Sequence, residues 1–326
     1  MDTRTNGPEV TILSYGAGQD STALLHLYIN DASFRAKYAP NRFIVVMSGT
    51  GAEHPDTDAY VETVKVLCAD SGIEFHHIAP SDGYHTGGWT RGLIGQWEKN
   101  STIGSASYPA SCSSALKIEP IWKFVEKWIE TNYGYAARRK RGISEFVRDF
   151  GKIRCILGIA KGEEKRAGGS KQTKFDFVKE KSTEKVWFRD CVDRSYPLID
   201  LGLDRAGCQA LIQSYGSQAS SPSFGTKVPS PSNCWACPYK SRQEVLWTAR
   251  FLPIHFEKWL SLEDTKRTKW EGATKDDGTL IPNHGVKGKT TLREYYAEAV
   301  ARYGHWTDEQ LETYRQSHGH CNNSKF

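Results

Sequence analysis

The segment Ser14-Tyr15-Gly16-Ala17-Gly18-Gln19-Asp20-Ser21-Thr22 constrains the fold more than any other, because of its flanks. Before it, Val10-Thr11-Ile12-Leu13 reads as a buried strand; after it, Ala23-Leu24-Leu25-His26-Leu27-Tyr28-Ile29 opens a helix. A strand that turns through small residues into a helix rich in Asp, Ser and Thr at its start makes an anion site. Unpaired N–H groups and the positive end of the helix dipole face whatever enters the turn. Glycines let the backbone approach a phosphate closely. No Gly-Lys-Ser/Thr closes the turn and its glycine spacing is not that of a dinucleotide fingerprint, so neither a Walker loop nor a dinucleotide fold is indicated.

Strand and helix alternate through the first third of the chain. Phe43–Met47 is a second buried strand, about Thr57 to Ser71 a helix, and Ile73–Ile78 a third strand. This rhythm predicts an α/β protein: a parallel twisted sheet with helices on both faces, Rossmann-like, binding ligands at the carboxyl ends of its strands. Residues 81–111 read as an irregular loop, Ile118–Ile129 as a helix, Arg154–Ile159 as a strand and Val186–Arg189 as a further short strand. Residues 214–233 read as loop. A mainly helical C-terminal part follows, with a helical pair from Arg242 to Ser261 around Pro253 and a last helix from Thr307 to His318. The division expected is 1–200 for the α/β part and 201–326 for the helical part.

With 326 residues the chain can bury a full core. Mean hydropathy is −0.57, no apolar run approaches the ~20 residues that span a bilayer, and Met1-Asp2-Thr3-Arg4 does not begin a signal peptide. A cytoplasmic protein without a membrane partner is the expectation, and its eight cysteines then read as thiols, metal ligands or core residues. The net charge of +5 is unevenly placed: Arg138 to Lys185 holds 15 Lys/Arg against 7 Asp/Glu. This block, an expected insertion over about 134–185, is either a solvated surface or a clamp for polyphosphate or nucleic acid.

Four further segments bear on chemistry. Thr50-Gly51-Ala52-Glu53 follows the second strand with a glycine turn and a carboxylate, which could equally be a helix cap. Cys112-Ser113-Ser114-Ala115-Leu116-Lys117-Ile118-Glu119-Pro120 sets a thiol five residues before a lysine. Gly158-Ile159-Ala160-Lys161-Gly162-Glu163-Glu164-Lys165-Arg166 places charges after a strand. Cys234-Trp235-Ala236-Cys237 is a Cys-x-x-Cys able to chelate a metal, to cycle as a redox pair or to remain ordinary thiols. A metal would need a second half-site; Cys112, and Cys321 in the tail His318-Gly319-His320-Cys321, are the candidates. Four thiolates would suit a [4Fe–4S] cluster, and a histidine among them would favour Zn²⁺. Cys68 and Cys155 lie in apolar periodic segments and read as core.

In their order these segments resemble the PP-loop ATP pyrophosphatases, specifically the PAPS (phosphoadenosine phosphosulfate) reductase-like superfamily with its adenine nucleotide α-hydrolase-like fold. Gly18, Asp20 and Ser21 match the Ser-Gly-Gly-x-Asp-Ser loop, while Gly16 and Ala17 depart from it. Tyr196-Pro197-Leu198-Ile199-Asp200 adds the family's Pro-Leu element. Gly49 and Ala160 stand where that family carries charges, and Ser113 where it has a second cysteine. The resemblance implies an ATP site in which the α–β phosphate bond is split to AMP, or an adenylated substrate, and pyrophosphate. Ser14 and Gly16 to Thr22 would cradle pyrophosphate, with Asp20 helping to bind Mg²⁺. Lys117, Lys161 and Arg166 would offset developing charge, and Thr50, Gly51, Glu53, Gly158 and Glu163 would line the nucleotide. The acceptor is not indicated. Relatives of this kind belong to mobile elements, phages, DNA sulfur modification and some CRISPR loci, so residues 138–185 would suit nucleic acid, a ribonucleoprotein or a modification complex. Two alternatives stay open: a PAPS or APS (adenosine phosphosulfate) reductase using Cys321 as nucleophile, and a subunit that binds nucleotide or nucleic acid without turnover.

Overall fold

The computed structural model describes residues 7–108, 112–167, 185–218, 229 and 234–318. Cys321, the expected fourth thiol, and residues 168–184 of the basic block lie outside the described residues.

Five parallel strands form one sheet in the order β3-β2-β1-β4-β5: β1 Val10–Ser14, β2 Arg42–Ser48, β3 Glu74–Ile78, β4 Ile153–Leu157 and β5 Val192–Ser195. The near-continuous apolar runs of β1 and β2 fit a sheet covered on both faces, since alternate residues then enter different cores. Leu13, Val45 and Met47 pack into one core with α1 (Gln19–Asn30), α2 (Ala32–Tyr38), α3 (Pro55–Asp70) and α9 (Arg205–Gln218). Val10, Ile12, Ile44 and Val46 pack into the other with α5 (Glu119–Tyr133) and α6 (Arg141–Phe150). The chain thus changes faces between the connections of β1–β3 and those leading to β4. The carboxyl ends of β1 and β4 border the resulting switch point, where open α/β sheets bind ligands. The sheet order and double winding are the α/β, Rossmann-like architecture expected.

Several local expectations need correction. The stretch 81–111 is not irregular throughout: it holds α4 (Gly92–Asn100), whose Leu93 and Trp97 are buried. Val186–Arg189 is not a strand but most of α7 (Val186–Cys191), with β5 directly behind it. Its aromatic residues imitate strand composition, yet the Trp187 and Phe188 rings pack edge-on against Trp122 of α5, at 5.7 and 5.4 Å between centroids. Residues 214–218, expected as loop, continue α9. The first helix begins at Gln19, so the second half of the glycine turn is already helical. Within the basic block, α6 and β4 are structural elements whose Ile143, Phe146 and Ile153 are fully buried.

Past the short α8 (Pro197–Asp200) and α9, the chain continues through α10 (Arg242–Phe251), α11 (Pro253–Lys269), α12 (Leu292–Tyr303) and α13 (Asp308–His318). Ser241 and Glu244 form a capping box on α10, as Thr291 and Glu294 do on α12. A third core joins α4 and Leu116 to Trp235, α10 and α11. It is hydrogen-bonded to the turn after β2, because Trp235 N–H donates to Ala52 O (3.0 Å) and Leu93 N–H to Thr50 O (2.7 Å). Among the described residues no helix is long and apolar enough to cross a membrane.

Candidate functional site

Two neighbouring features lie at the carboxyl edge of the sheet. The first is the turn after β1. Tyr15 N–H donates to Val46 O (2.9 Å), holding the turn against β2. Ala17 then adopts a left-handed conformation with φ 55°, which an L residue takes at a cost of ~1 kcal/mol or more. Ser21 braces the bend from inside: its hydroxyl donates to Gly18 O (3.1 Å) and accepts from Gly16 N–H (3.3 Å). Gly18 caps α1 without a side-chain hydrogen bond, so among the described residues no capping side chain occupies the first-turn N–H groups. Thr22 is fully buried and its hydroxyl pairs with Tyr15 Oη (3.0 Å). Gln19 is buried too, bonded to Pro229 O (3.2 Å), Gln316 Oε1 (2.7 Å) and Gln209 Nε2 (3.0 Å). These two side chains hold the turn in place, and what they offer an anion is backbone.

The end of β4 presses on this turn. A Cβ at Gly158 would stand 2.8 Å from Ser21 N, so only glycine permits the approach. The closeness brings the post-β4 segment beside Asp20. Glu163 pairs with Arg166 and with Arg205 Nη2 (3.0 Å), and the same Nη2 is 3.6 Å from Asp20 Oδ2. All four side chains are 12–16% exposed. Burial pushes the Asp20 carboxyl up; Arg205 opposes this, Glu163 adds to it and Arg166 opposes it. Asp20 Oδ1 is buried and accepts no hydrogen bond from a described residue. Lys161 is exposed in the same turn, its N–H donating to Leu203 O (2.8 Å) just before α9. Arg205 carried no local signal in the sequence, since only the docking of α9 brings it here.

The second feature follows β2. The Glu53 carboxylate folds back on its own turn, accepting from Thr50 N–H (2.6 Å), Thr50 Oγ1 (2.6 Å), Gly51 N–H (3.0 Å) and Ala52 N–H (3.2 Å). It builds the turn, and Thr50 is thereby aimed at a cavity of about 310 Å³. Cys112, Cys234, Cys237 and Lys117 line this cavity together with Trp89 and Trp97. Cys112 and Lys117 reach it from a wide π-helical turn, Ser113–Ile118, which leads into α5. Cys234 Sγ lies 3.3 Å from Thr50 Oγ1. Burial pushes the Cys234 thiol up, and the nearby Lys117 ammonium opposes that.

Two further cations sit by the Cys-x-x-Cys turn. Lys240 is 3% exposed, and its N–H donates to Cys237 O (3.2 Å). Lys287 Nζ donates to Pro238 O (2.7 Å) and to Lys240 O. Burial lowers both lysines, Lys287 to about 8. The seven described cysteines are all outside disulfides, with Cys68 and Cys155 buried in the core as expected. Among the described residues no group of three or more His, Cys, Asp or Glu side chains is arranged to hold a metal ion. Three thiols lining one cavity, with lysines close by, are nevertheless the donor type that a thiolate-bound metal takes.

The residues expected to act together thus divide. Asp20, Glu163 and Arg166 meet at the β1–β4 switch point, whereas Lys117, Cys112, Cys234 and Cys237 share the cavity beside β2. His318 ends α13 stacked on Tyr314, with 4.3 Å between ring centroids.

The sheet order and the uncapped helix at its switch point define a Rossmann-like α/β protein. No protein-family model matches the chain, and no curated protein matches it in sequence. Among solved structures it is similar to the U34-tRNA thiolase NcsA from Methanococcus maripaludis with its [4Fe-4S] cluster. Identity is 14%, coverage 91% of this chain and 82% of that one, and the TM-score 0.38.

Proposed function

We propose that this chain is an ATP-using enzyme of the PP-loop kind, which cleaves the α–β phosphate bond to release pyrophosphate and AMP or an adenylated acceptor. The observation that carries this reading is the uncapped start of α1 at the switch point, pressed by Gly158 and flanked by Arg166 and Arg205, with Lys161 exposed in the same post-β4 turn. An acceptor oxygen attacks the α phosphorus, the bond to the bridging oxygen breaks, and its electron pair leaves on pyrophosphate. The helix start and the cations lower the cost of that charge. Ser14 and Gly16 to Ser21 surround the leaving group. Asp20, with one buried oxygen that accepts no hydrogen bond from the described residues, fits a ligand for Mg²⁺, which when bound offsets phosphate charge. Cys112, Cys234 and Cys237 would hold an iron–sulfur cluster or Zn²⁺, with Lys117, Lys240 and Lys287 balancing thiolate charge; such a group supplies a Lewis-acidic or redox-active centre. The basic residues between 138 and 185 would give a nucleic-acid acceptor or partner its electrostatic footing.

Incubation with Mg²⁺ and ATP labelled at the α phosphate, with RNA and DNA added in turn, tests the reading. Labelled AMP or a labelled adenylated nucleic acid is the expected product. Labelled ADP, or no product beside intact ATP, overturns it.

A further inference from the structure

Arg205 is the one member of the switch-point cluster that no motif announced. It opens α9, and the backbone just before it is fixed to the post-β4 turn by the Lys161 N–H to Leu203 O bond. Its Nη2 lies between two carboxylates, Glu163 Oε1 at 3.0 Å and Asp20 Oδ2 at 3.6 Å. With Arg166 on the far side of Glu163, two acids and two guanidinium groups alternate beside the helix start. The cluster is neutral as a whole, while one of its acceptors, Asp20 Oδ1, is buried and accepts no hydrogen bond from the described residues. A guanidinium fork binds carboxylate and phosphate with the same geometry, so a polyphosphate entering here competes with Glu163 and Asp20 for the same donors.

From this arrangement we infer that Arg205 is a polyphosphate-binding residue, stored on Glu163 and Asp20 and handed to the β phosphate when ligand enters. The inference rests on the nucleotide reading given above and adds a residue and an exchange of partners to it. In the exchange Arg205 leaves Asp20, so that both Asp20 oxygens become available to a cation at the moment the polyphosphate arrives. Glu163 is then a competitor that keeps the arginines in place between turnovers. Its removal should help a phosphate ligand, where removal of a purely structural partner would harm it.

Calorimetric titration of the full chain with inorganic pyrophosphate, ATP and AMP at fixed Mg²⁺ tests this, with melting temperatures recorded in parallel. Arg205→Met should weaken pyrophosphate and ATP by about tenfold or more, the scale of one charge-assisted hydrogen bond. AMP, which lacks the β phosphate, should bind as in the wild type. Arg205→Lys should fall between the two. Glu163→Gln should bind pyrophosphate more tightly than wild type, and it decides the matter if Arg205→Met does not fold. An Arg205→Met protein that binds pyrophosphate like wild type, or loses AMP and pyrophosphate in equal proportion, overturns the inference; so does a Glu163→Gln protein that binds more weakly. Wild-type protein that takes neither ATP nor pyrophosphate sinks the nucleotide reading, and this inference with it.

Discussion

The missing methyl group at Gly158 decides how close β4 comes to the turn after β1. Because a Cβ there would meet backbone rather than a movable side chain, Gly158→Ala must displace either the turn or the strand end. Overpacking of this kind costs ~1–3 kcal/mol. The expected result is a lowered urea midpoint together with weaker ATP binding; unchanged binding would mean that the turn does not depend on this contact. Residue by residue, the legibility of the site follows sequence distance. Gly18, Asp20 and Ser21 were readable because strand, turn and helix start are contiguous, and Ala17 marked itself by standing where the loop pattern that the sequence resembles has glycine. Arg205 was unreadable, since its partners Asp20 and Glu163 lie far from it along the chain and only the packing of α9 joins them. Glu53 was readable as a carboxylate at the right edge, but its sequence could not tell a ligand contact from the self-made turn that it forms.

At the scale of elements, β1, β2, α3 and the last helix were evident because apolar runs and helical periodicity leave strong signals, joined for the last helix by the Thr307 cap. The elements that escaped, α4 and α7, are short and rich in Gly and aromatic residues, so tertiary packing rather than local pattern makes them helical. The same limit applies to the π-helical turn at Ser113–Ile118, whose width has no local sequence signature yet carries Cys112 and Lys117 to the cavity. This turn and the Cys-x-x-Cys segment are far apart along the chain yet line one cavity, so metal retention tests whether they work as one unit. Cys112→Ala, Cys234→Ala and Cys237→Ala should each lower the iron or zinc content of anaerobically isolated protein. Cys68→Ala, a change in the core behind α3, should keep it. Equal metal content in all four would detach the cavity thiols from any metal.

For the whole molecule, His26 makes stability depend on pH. It is 2% exposed on α1, stacked on Tyr215 of α9 at 6.2 Å, and burial lowers it from 6.5 to about 4. Below pH 6.5 the unfolded chain takes up a proton that the folded one refuses until about pH 4. The contribution is therefore whole above pH 6.5 and is lost as pH falls toward 4, by about 3 kcal/mol at most. Denaturant titrations between pH 7 and 4 should show this loss, and His26→Gln should flatten it; an equally steep loss in the variant would assign the acid limb to other groups. Gln19 has a consequence for how the protein comes into being. The turn after β1 precedes its supports along the chain: Gln19 bonds to Gln209, Pro229 and Gln316, the last of them 297 positions later. During synthesis the turn therefore leaves the ribosome before any of these three partners has been made. Until α13 has been made and has docked, Gln19 lacks one of its contacts, so the final arrangement of the turn waits on long-range packing.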